Sequence, residues 1–245
     1  MRPDNHDPAG RLQGAALRRA LGLYLVTDRA LAGERSEDAI IVAALSGGVG
    51  TVQLRGKDLS GRALMAAGTR LGALVRATPV LATTGQDRAL VIVNDRVDVA
   101  LSVDADGAHV GQDDLPAAAA RRLLGPQRLL GVSVSSVEEA RQAAADGADY
   151  LGVGPIVSTP SKPDAPHPIG LRGLQAIRAI TDLPLVAIGG ITVANAPQVL
   201  AAGADGLAVI AAIVAAADPA AAAHALAAAV ASAGVRADTQ HRGCR

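Results

Sequence analysis

Short apolar runs recur along the chain at 23–27, 51–54, 90–93, 107–110, 129–133, 150–153, 185–188 and 207–210. They are rich in Val, Ile and Leu and lack the in–out alternation of a half-exposed sheet, so they read as eight strands buried on both faces. Helical stretches such as 136–145 and 193–202 lie between most of them, and a shorter one (116–124) follows the fourth run. The turns that lead into strands share a weak repeat: Gly47-Gly48-Val49-Gly50, Asp104-Ala105-Asp106-Gly107, Gly147-Ala148-Asp149-Tyr150 and Gly203-Ala204-Asp205-Gly206. Glycine after a helix supplies the left-handed turn from which the next strand starts. Eight βα units in one chain of 245 residues predict an α/β fold: a single-domain (β/α)8 TIM barrel. The competing open doubly wound sheet requires a Gly-rich turn after the first strand. Thr27-Asp28-Arg29-Ala30-Leu31 does not supply one. The barrel is expected over 21–235, after a flexible tail and short helix (1–20) and before a disordered tail (236–245).

Composition narrows the function. Half of the residues are apolar, but there is no Phe or Trp and only Tyr24 and Tyr150 are aromatic. Without aromatic platforms, single-stranded nucleic acid has nothing to stack on. The formal net charge is zero, so no basic field attracts nucleic acid or anionic lipid. The single cysteine, Cys244, excludes a disulfide framework within the chain and a cysteine-rich zinc site. No apolar run is of membrane-spanning length, and the polar N-terminus lacks a signal-peptide core. These features predict a cytoplasmic protein acting on small molecules. The oligomeric state is not read from the sequence.

Of 23 basic residues only two are lysines, Lys57 and Lys162. Lysine is a mobile point charge where arginine is a planar fork. Both lysines fall in loops that follow predicted strands. The C-terminal ends of strands carry the active site in this fold. The same rim collects Gln53, Arg55 and Lys57, then Asn94 and Asp95, then His109, Asp113 and Asp114, then Ser133 and Ser135, then Gly189-Gly190 and Ile210-Ala211. Asp95 with Asp113 or Asp114 forms a pair suited to an oxygen-loving dication whose shell a phosphate completes. Turn and capping roles compete for each acid. Gly189-Gly190 with Ile210-Ala211 suits the phosphate site common after strands seven and eight. No activated Ser or Cys constellation is present. A rim built to absorb charge fits departure of a good leaving group better than attack by an enzyme nucleophile.

The motifs Gln53-Leu54-Arg55-Gly56-Lys57, Val93-Asn94-Asp95-Arg96, His109-Val110-Gly111-Gln112-Asp113-Asp114, Gly131-Val132-Ser133, Gly152-Val153-Gly154-Pro155, Thr159-Pro160-Ser161-Lys162 and Ile188-Gly189-Gly190-Ile191 together resemble the thiamine-phosphate synthase family. The resemblance implies joining of a hydroxymethylpyrimidine diphosphate to a thiazole phosphate, with release of pyrophosphate by a dissociative route. It implies that Arg55, Lys57, Ser133 and Lys162 hold the pyrophosphate. Gln53, Leu54, Gly56 and Asn94 would line the pyrimidine diphosphate site, with His109 and Tyr150 nearby. Thr159, Pro160, Ser161, Gly190, Ile210 and Ala211 would face the thiazole phosphate. It also implies one Mg2+ per site, on Asp95 and Asp114, which decides between Asp113 and Asp114. The chain departs from the family pattern at Val157-Ser158, at Ser161, at Val134-Ser135-Ser136 and at Ala211. A related thiazole tautomerase barrel, or a barrel that binds a phosphorylated ligand without turnover, are the alternative readings. The stretch 78–88 is longer than the family's usual connection.

Overall fold

A computed structural model describes residues 11–80, 88–158 and 167–242, the last eight of these by backbone alone. The strands are β1 (Leu23–Val26), β2 (Thr51–Leu54), β3 (Leu90–Asn94), β4 (Gly107–Val110), β5 (Leu129–Val134), β6 (Tyr150–Val153), β7 (Leu185–Ile188) and β8 (Gly206–Val209). They are parallel and form a closed barrel in chain order, with β8 pairing back onto β1 in the register Tyr24↔Ala208. The expected (β/α)8 architecture is therefore the observed one, with each apolar run placed on a strand.

Alternation along each strand divides the core in two. Tyr24, Val26, Leu90, Ile92, Leu129, Tyr150, Val186 and Ala208 fill the barrel. Leu23, Leu25, Val52, Leu54, Val91, Val93, Ala108 and Val110 point outward under the helices. Those helices are α2 (Arg29–Ala32), α3 (Glu37–Ser46), α4 (Gly61–Ala77), α5 (Val97–Ser102), α6 (Ala117–Leu124), α7 (Val137–Ala145), α8 (Gly170–Arg178), α9 (Ala196–Ala201), α10 (Ala211–Val214) and α11 (Pro219–Arg242), preceded by α1 (Gly14–Ala20). Ser36, Ser60 and Ser136 cap α3, α4 and α7, each hydroxyl accepting from the backbone N–H three residues on, the expected N-cap geometry.

The expected short leading helix is α1, and Leu17, Ala20 and Leu21 belong to the interior cluster and plug the N-terminal end of the barrel. The Thr51 hydroxyl donates to the Ala20 carbonyl at 2.8 Å, fastening the plug to β2. At the other end the backbone of α11 continues to Arg242, through part of the stretch expected to lack structure. The alanine-rich part of this helix is 220–233, where alanine, the best helix former, carries it. Of the long 78–88 connection, residues 81–87 lie outside those described.

The weak repeat has a structural basis at the N-terminal rim. Gly48, Asp104, Gly147 and Gly203 all adopt positive φ, from 53° to 111°. Two residues on, Asp106, Asp149 and Asp205 each accept from the first backbone N–H of the preceding strand or its second residue: Val91 (2.7 Å), Leu130 (2.7 Å) and Leu185 (2.8 Å). An arginine answers each carboxylate: Arg88, Arg121 and Arg178. The β2 turn has Gly50 at this place, because a Cβ there would lie 2.5 Å from the Ala20 carbonyl oxygen. Asp149 also meets Arg11 at 2.9 Å. Asp149→Ala is expected to lower stability by about 2 kcal/mol, since it leaves the Leu130 N–H without its acceptor and takes the carboxylate from a half-buried Arg121 that keeps its backbone carbonyl partners. Urea unfolding at neutral pH measures this; a loss below about 1 kcal/mol would show the clamp to be a solvated contact.

Candidate functional site

The C-terminal rim opens into a cavity of about 590 Å3. Its wall includes Gln53, Arg55, Lys57, Asn94, Asp95, His109, Asp113, Asp114, Ser133 and Tyr150, and on the opposite side Gly189, Gly190, Ile210 and Ala211. Residues expected from seven strands, or from the loops that end them, thus meet in one volume. Leu54 and Gly56 are not part of its wall. Leu54 follows the inward Gln53, so the pleat turns it outward into the helix-side core. A Cβ on Gly56 would lie 2.7 Å from the Leu59 side chain. Thr159, Pro160, Ser161 and Lys162 lie outside the described residues.

Arg55 is aimed by the loop after β1. Its backbone N–H donates to the Thr27 hydroxyl (3.1 Å), and its guanidinium meets the Asp28 carboxylate at 3.4 Å. Asp28 also caps α2 through the Leu31 N–H. Asp28 was not singled out in the sequence, where it reads as an ordinary turn acid.

Asp95 has φ of 61°, one of two non-glycine residues in the left-handed region. Only Asn and Asp among larger residues visit it readily. Its backbone N–H donates to the His109 carbonyl (2.8 Å), so β3 continues pairing while the chain turns. The turn brings the Asp95 side chain into hydrogen-bond contact with Asp114. Asp114 is held in turn by the Gly111 N–H at 2.7 Å. Burial pushes the Asp95 carboxyl up to about 6, the adjoining Asp114 adds to this, and Lys57 and Arg55 oppose it. Two carboxyl groups held against each other beside two cations form a ready place for a dication. Asp113 also borders the cavity, but the paired acid is Asp114. Among the described residues no cluster of three or more His, Cys, Asp or Glu could hold a metal.

Beneath the rim runs a buried chain of hydrogen bonds. Gln53 Nε2 donates to the Tyr24 hydroxyl (2.8 Å), which meets the Tyr150 hydroxyl (2.9 Å). The Tyr150 hydroxyl meets His109 Nδ1 (3.1 Å), and His109 Nε2 meets the Ser133 hydroxyl (2.8 Å). Burial drives both tyrosine hydroxyls well above their ordinary range, so they stay protonated. Tyr24 is the member that the sequence did not point to. The Ser135 departure also finds its use here. Ser135 donates to Glu139 through its N–H (2.6 Å) and hydroxyl (3.0 Å), while the Ser136 hydroxyl accepts from the Glu139 N–H (3.1 Å). That is a reciprocal helix cap, built on the cavity wall.

On the far side Gly189 and Gly190 have φ of 94° and 65°. The Asn195 amide donates to the Gly190 carbonyl at 2.8 Å and anchors the turn. A Cβ on Gly190 would lie 2.7 Å from that of Val157, so glycine is required there by space as well as by φ.

A closed parallel barrel with its ionisable and phosphate-sized turns gathered on the C-terminal rim is the architecture of the (β/α)8 enzymes. The profile of the thiamine monophosphate synthase family matches residues 23–213. The thiamine-phosphate synthase of Roseiflexus castenholzii is 56% identical over 197 residues, covering 80% of this chain and 82% of its own. That of Chloroflexus aurantiacus is 56% identical over 196 residues, covering 80% and 86%. The solved thiamine phosphate pyrophosphorylase of Pyrococcus furiosus superposes with a TM-score of 0.78 at 41% identity, covering 89% of this chain and 98% of its own. The chain belongs to the thiamine monophosphate synthase family of enzymes.

Proposed function

We propose that this cavity joins 4-amino-2-methyl-5-hydroxymethylpyrimidine diphosphate to a hydroxyethylthiazole phosphate, giving thiamine phosphate and pyrophosphate. The observation that carries the reading is the convergence of Arg55, Lys57 and the Asp95–Asp114 pair on one side of a cavity whose other side is the Gly189-Gly190 turn. A tautomerase has no use for two cations facing two acids. Arg55, Lys57 and Ser133 receive the diphosphate, together with Lys162 from the loop after β6. Gln53, Asn94 and His109 face the pyrimidine. Gly190, Ile210 and Ala211 hold the thiazole phosphate, and Thr159, Pro160 and Ser161 belong to the thiazole site.

Asp95 and Asp114 fit one Mg2+, because two oxygen-donor acids held in contact on the cavity wall repel each other when charged and a dication relieves that repulsion. When bound, the ion would neutralise charge on the diphosphate oxygens. The residues of the chain do the rest. The bond between the pyrimidine methylene carbon and the diphosphate oxygen breaks, and its electron pair leaves with pyrophosphate. Arg55 and Lys57 stabilise that departing charge in a partly dry site, where such contacts count most. The thiazole nitrogen then gives its lone pair to the methylene carbon and forms the new C–N bond. No side chain needs to abstract a proton, in keeping with a rim that pairs its acids with each other. No helix among the described residues is long and apolar enough to cross a membrane; the proposed setting is cytoplasmic.

Purified protein incubated with both substrates and Mg2+ is expected to release pyrophosphate in step with thiamine phosphate. Isomerisation of a thiazole phosphate without coupling, or binding without turnover, would reject the proposal in favour of one of the two alternatives.

A further inference from the structure

The buried chain from Gln53 to Ser133 has a direction, and that direction has a chemical consequence. Gln53 Nε2 can only donate, so it occupies an acceptor position on the Tyr24 hydroxyl. The Tyr24 proton is then available to Tyr150, 2.9 Å away, and the Tyr150 proton to His109 Nδ1, 3.1 Å away. An accepting Nδ1 makes Nε2 the protonated nitrogen of a neutral imidazole. Nε2 sits 2.8 Å from the Ser133 hydroxyl oxygen. Ser133 therefore accepts from His109, and its own proton is free to point into the cavity. Run the other way, the chain would spend the serine proton on His109 and turn a bare oxygen toward Arg55, Lys57 and any anion they hold.

The packing around the chain is built for it. A Cβ on Gly131 would lie 2.2 Å from Tyr150 Cζ and 2.3 Å from His109 Nδ1. A Cβ on Gly152 would lie 2.8 Å from His109 Cε1. Two glycines on neighbouring strands thus make room for one imidazole and one phenol. The Tyr24 and Tyr150 rings lie with centroids 6.1 Å apart, and the Tyr150 and His109 rings 5.5 Å apart. Tyr24 and Tyr150 are 2% and 0% exposed, so each hydroxyl depends on its neighbours in the chain for its hydrogen bonds.

We propose that Tyr24 and Tyr150 are positioning residues that set the tautomer of His109, and through it present the Ser133 hydroxyl as a hydrogen-bond donor to the departing pyrophosphate. The role of the donor rests on the coupling reaction proposed above; the tautomer does not. Nitrogen-15 NMR of histidine-labelled protein without substrates reads the tautomer directly, with His109→Asn identifying the resonances. His109 is expected to show a bare Nδ1 and a protonated Nε2. In Tyr150→Phe, which removes the proton given to Nδ1, the ring is expected to become a mixture of tautomers. In that variant kcat is expected to fall about tenfold, with KM for the pyrimidine diphosphate within about twofold of wild type. Tyr24→Phe is expected to shift the ring resonances in the same sense by a smaller amount. A wild-type His109 protonated on Nδ1, or on both nitrogens, overturns the proposal even without a variant. So does a folded Tyr150→Phe protein whose ring resonances are unchanged. Failure of the coupling reaction, by contrast, leaves the spectrum as expected.

Discussion

Asp95→Asn is expected to abolish most coupling activity while making the metal-free protein more stable at neutral pH. Loss of one of two carboxylates that would hold the cation is expected to lower kcat/KM by about 10^2- to 10^3-fold. The stability effect has the opposite sign for a physical reason. The Asp95 carboxyl is pushed up to about 6 from the ordinary carboxylate range, because burial and Asp114 both disfavour its charge. A raised carboxyl favours the folded state while protonated, and that contribution is lost as pH rises from about 4 through about 6. Above that window wild type holds two adjacent negative charges, and an amide at 95 does not. Asn also tolerates the φ of 61° at this position, so the backbone is not the limiting factor. Thermal unfolding without divalent ions is expected to show a higher Tm for Asp95→Asn at pH 7.5 and little difference at pH 4. Mg2+ is expected to raise the Tm of wild type at pH 7.5, far less at pH 5, and not at all in the variant. A variant destabilised equally at both pH values would remove Asp95 from the cation site.

Gly206→Ala is expected to be among the most damaging single methyl groups in the barrel. The added carbon would sit 2.1 Å from the Leu21 carbonyl oxygen and 2.8 Å from its carbon. Both are backbone atoms of the segment that joins the α1 plug to β1, so no side chain can swing aside. The expected loss exceeds about 3 kcal/mol, at the upper end of overpacking effects. Gly72→Ala provides the contrast. It lies within α4, and its new methyl would meet only the Arg76 guanidinium, no nearer than 3.3 Å. There alanine is expected to stabilise by about 0.5–1 kcal/mol through helix propensity. Urea unfolding of the two variants separates crowding from propensity; equal effects would mean that the barrel floor relaxes freely.

The barrel was legible because its signal is local. Each strand is a short run buried on both faces, and the glycine-marked turns recur at the same point in the βα unit. The polar rim was legible for a related reason, since residues that end consecutive strands must share a rim once the sheet closes. What was not legible depends on contacts across the barrel. Tyr24 is one of only two aromatic residues, yet nothing in its neighbourhood separates it from core filling. Its role arises from Gln53 on the adjacent strand and Tyr150 on the far side of the barrel. Asp28 reads as a capping residue, which it is, and its second contact with Arg55 requires the registry of β1 with β2. Leu54 was assigned with its motif to the pyrimidine site, although strand alternation after Gln53 turns it outward. The leading helix α1 was expected, but its packing as a plug was hidden, because its Leu and Ala positions meet the barrel only through contacts distant in sequence.

The three Asp–Arg clamps sit at the rim opposite the cavity. Asp106, Asp149 and Asp205 tie neighbouring strands together through strand N–H groups and arginines. The two ends of the barrel therefore answer to different pressures. Substitutions at the clamped end adjust the temperature at which the chain holds together. Substitutions at the open end adjust what it binds, against a scaffold already secured elsewhere. A lineage moving between cold and hot environments can retune the clamps first, with no need to revisit its chemistry.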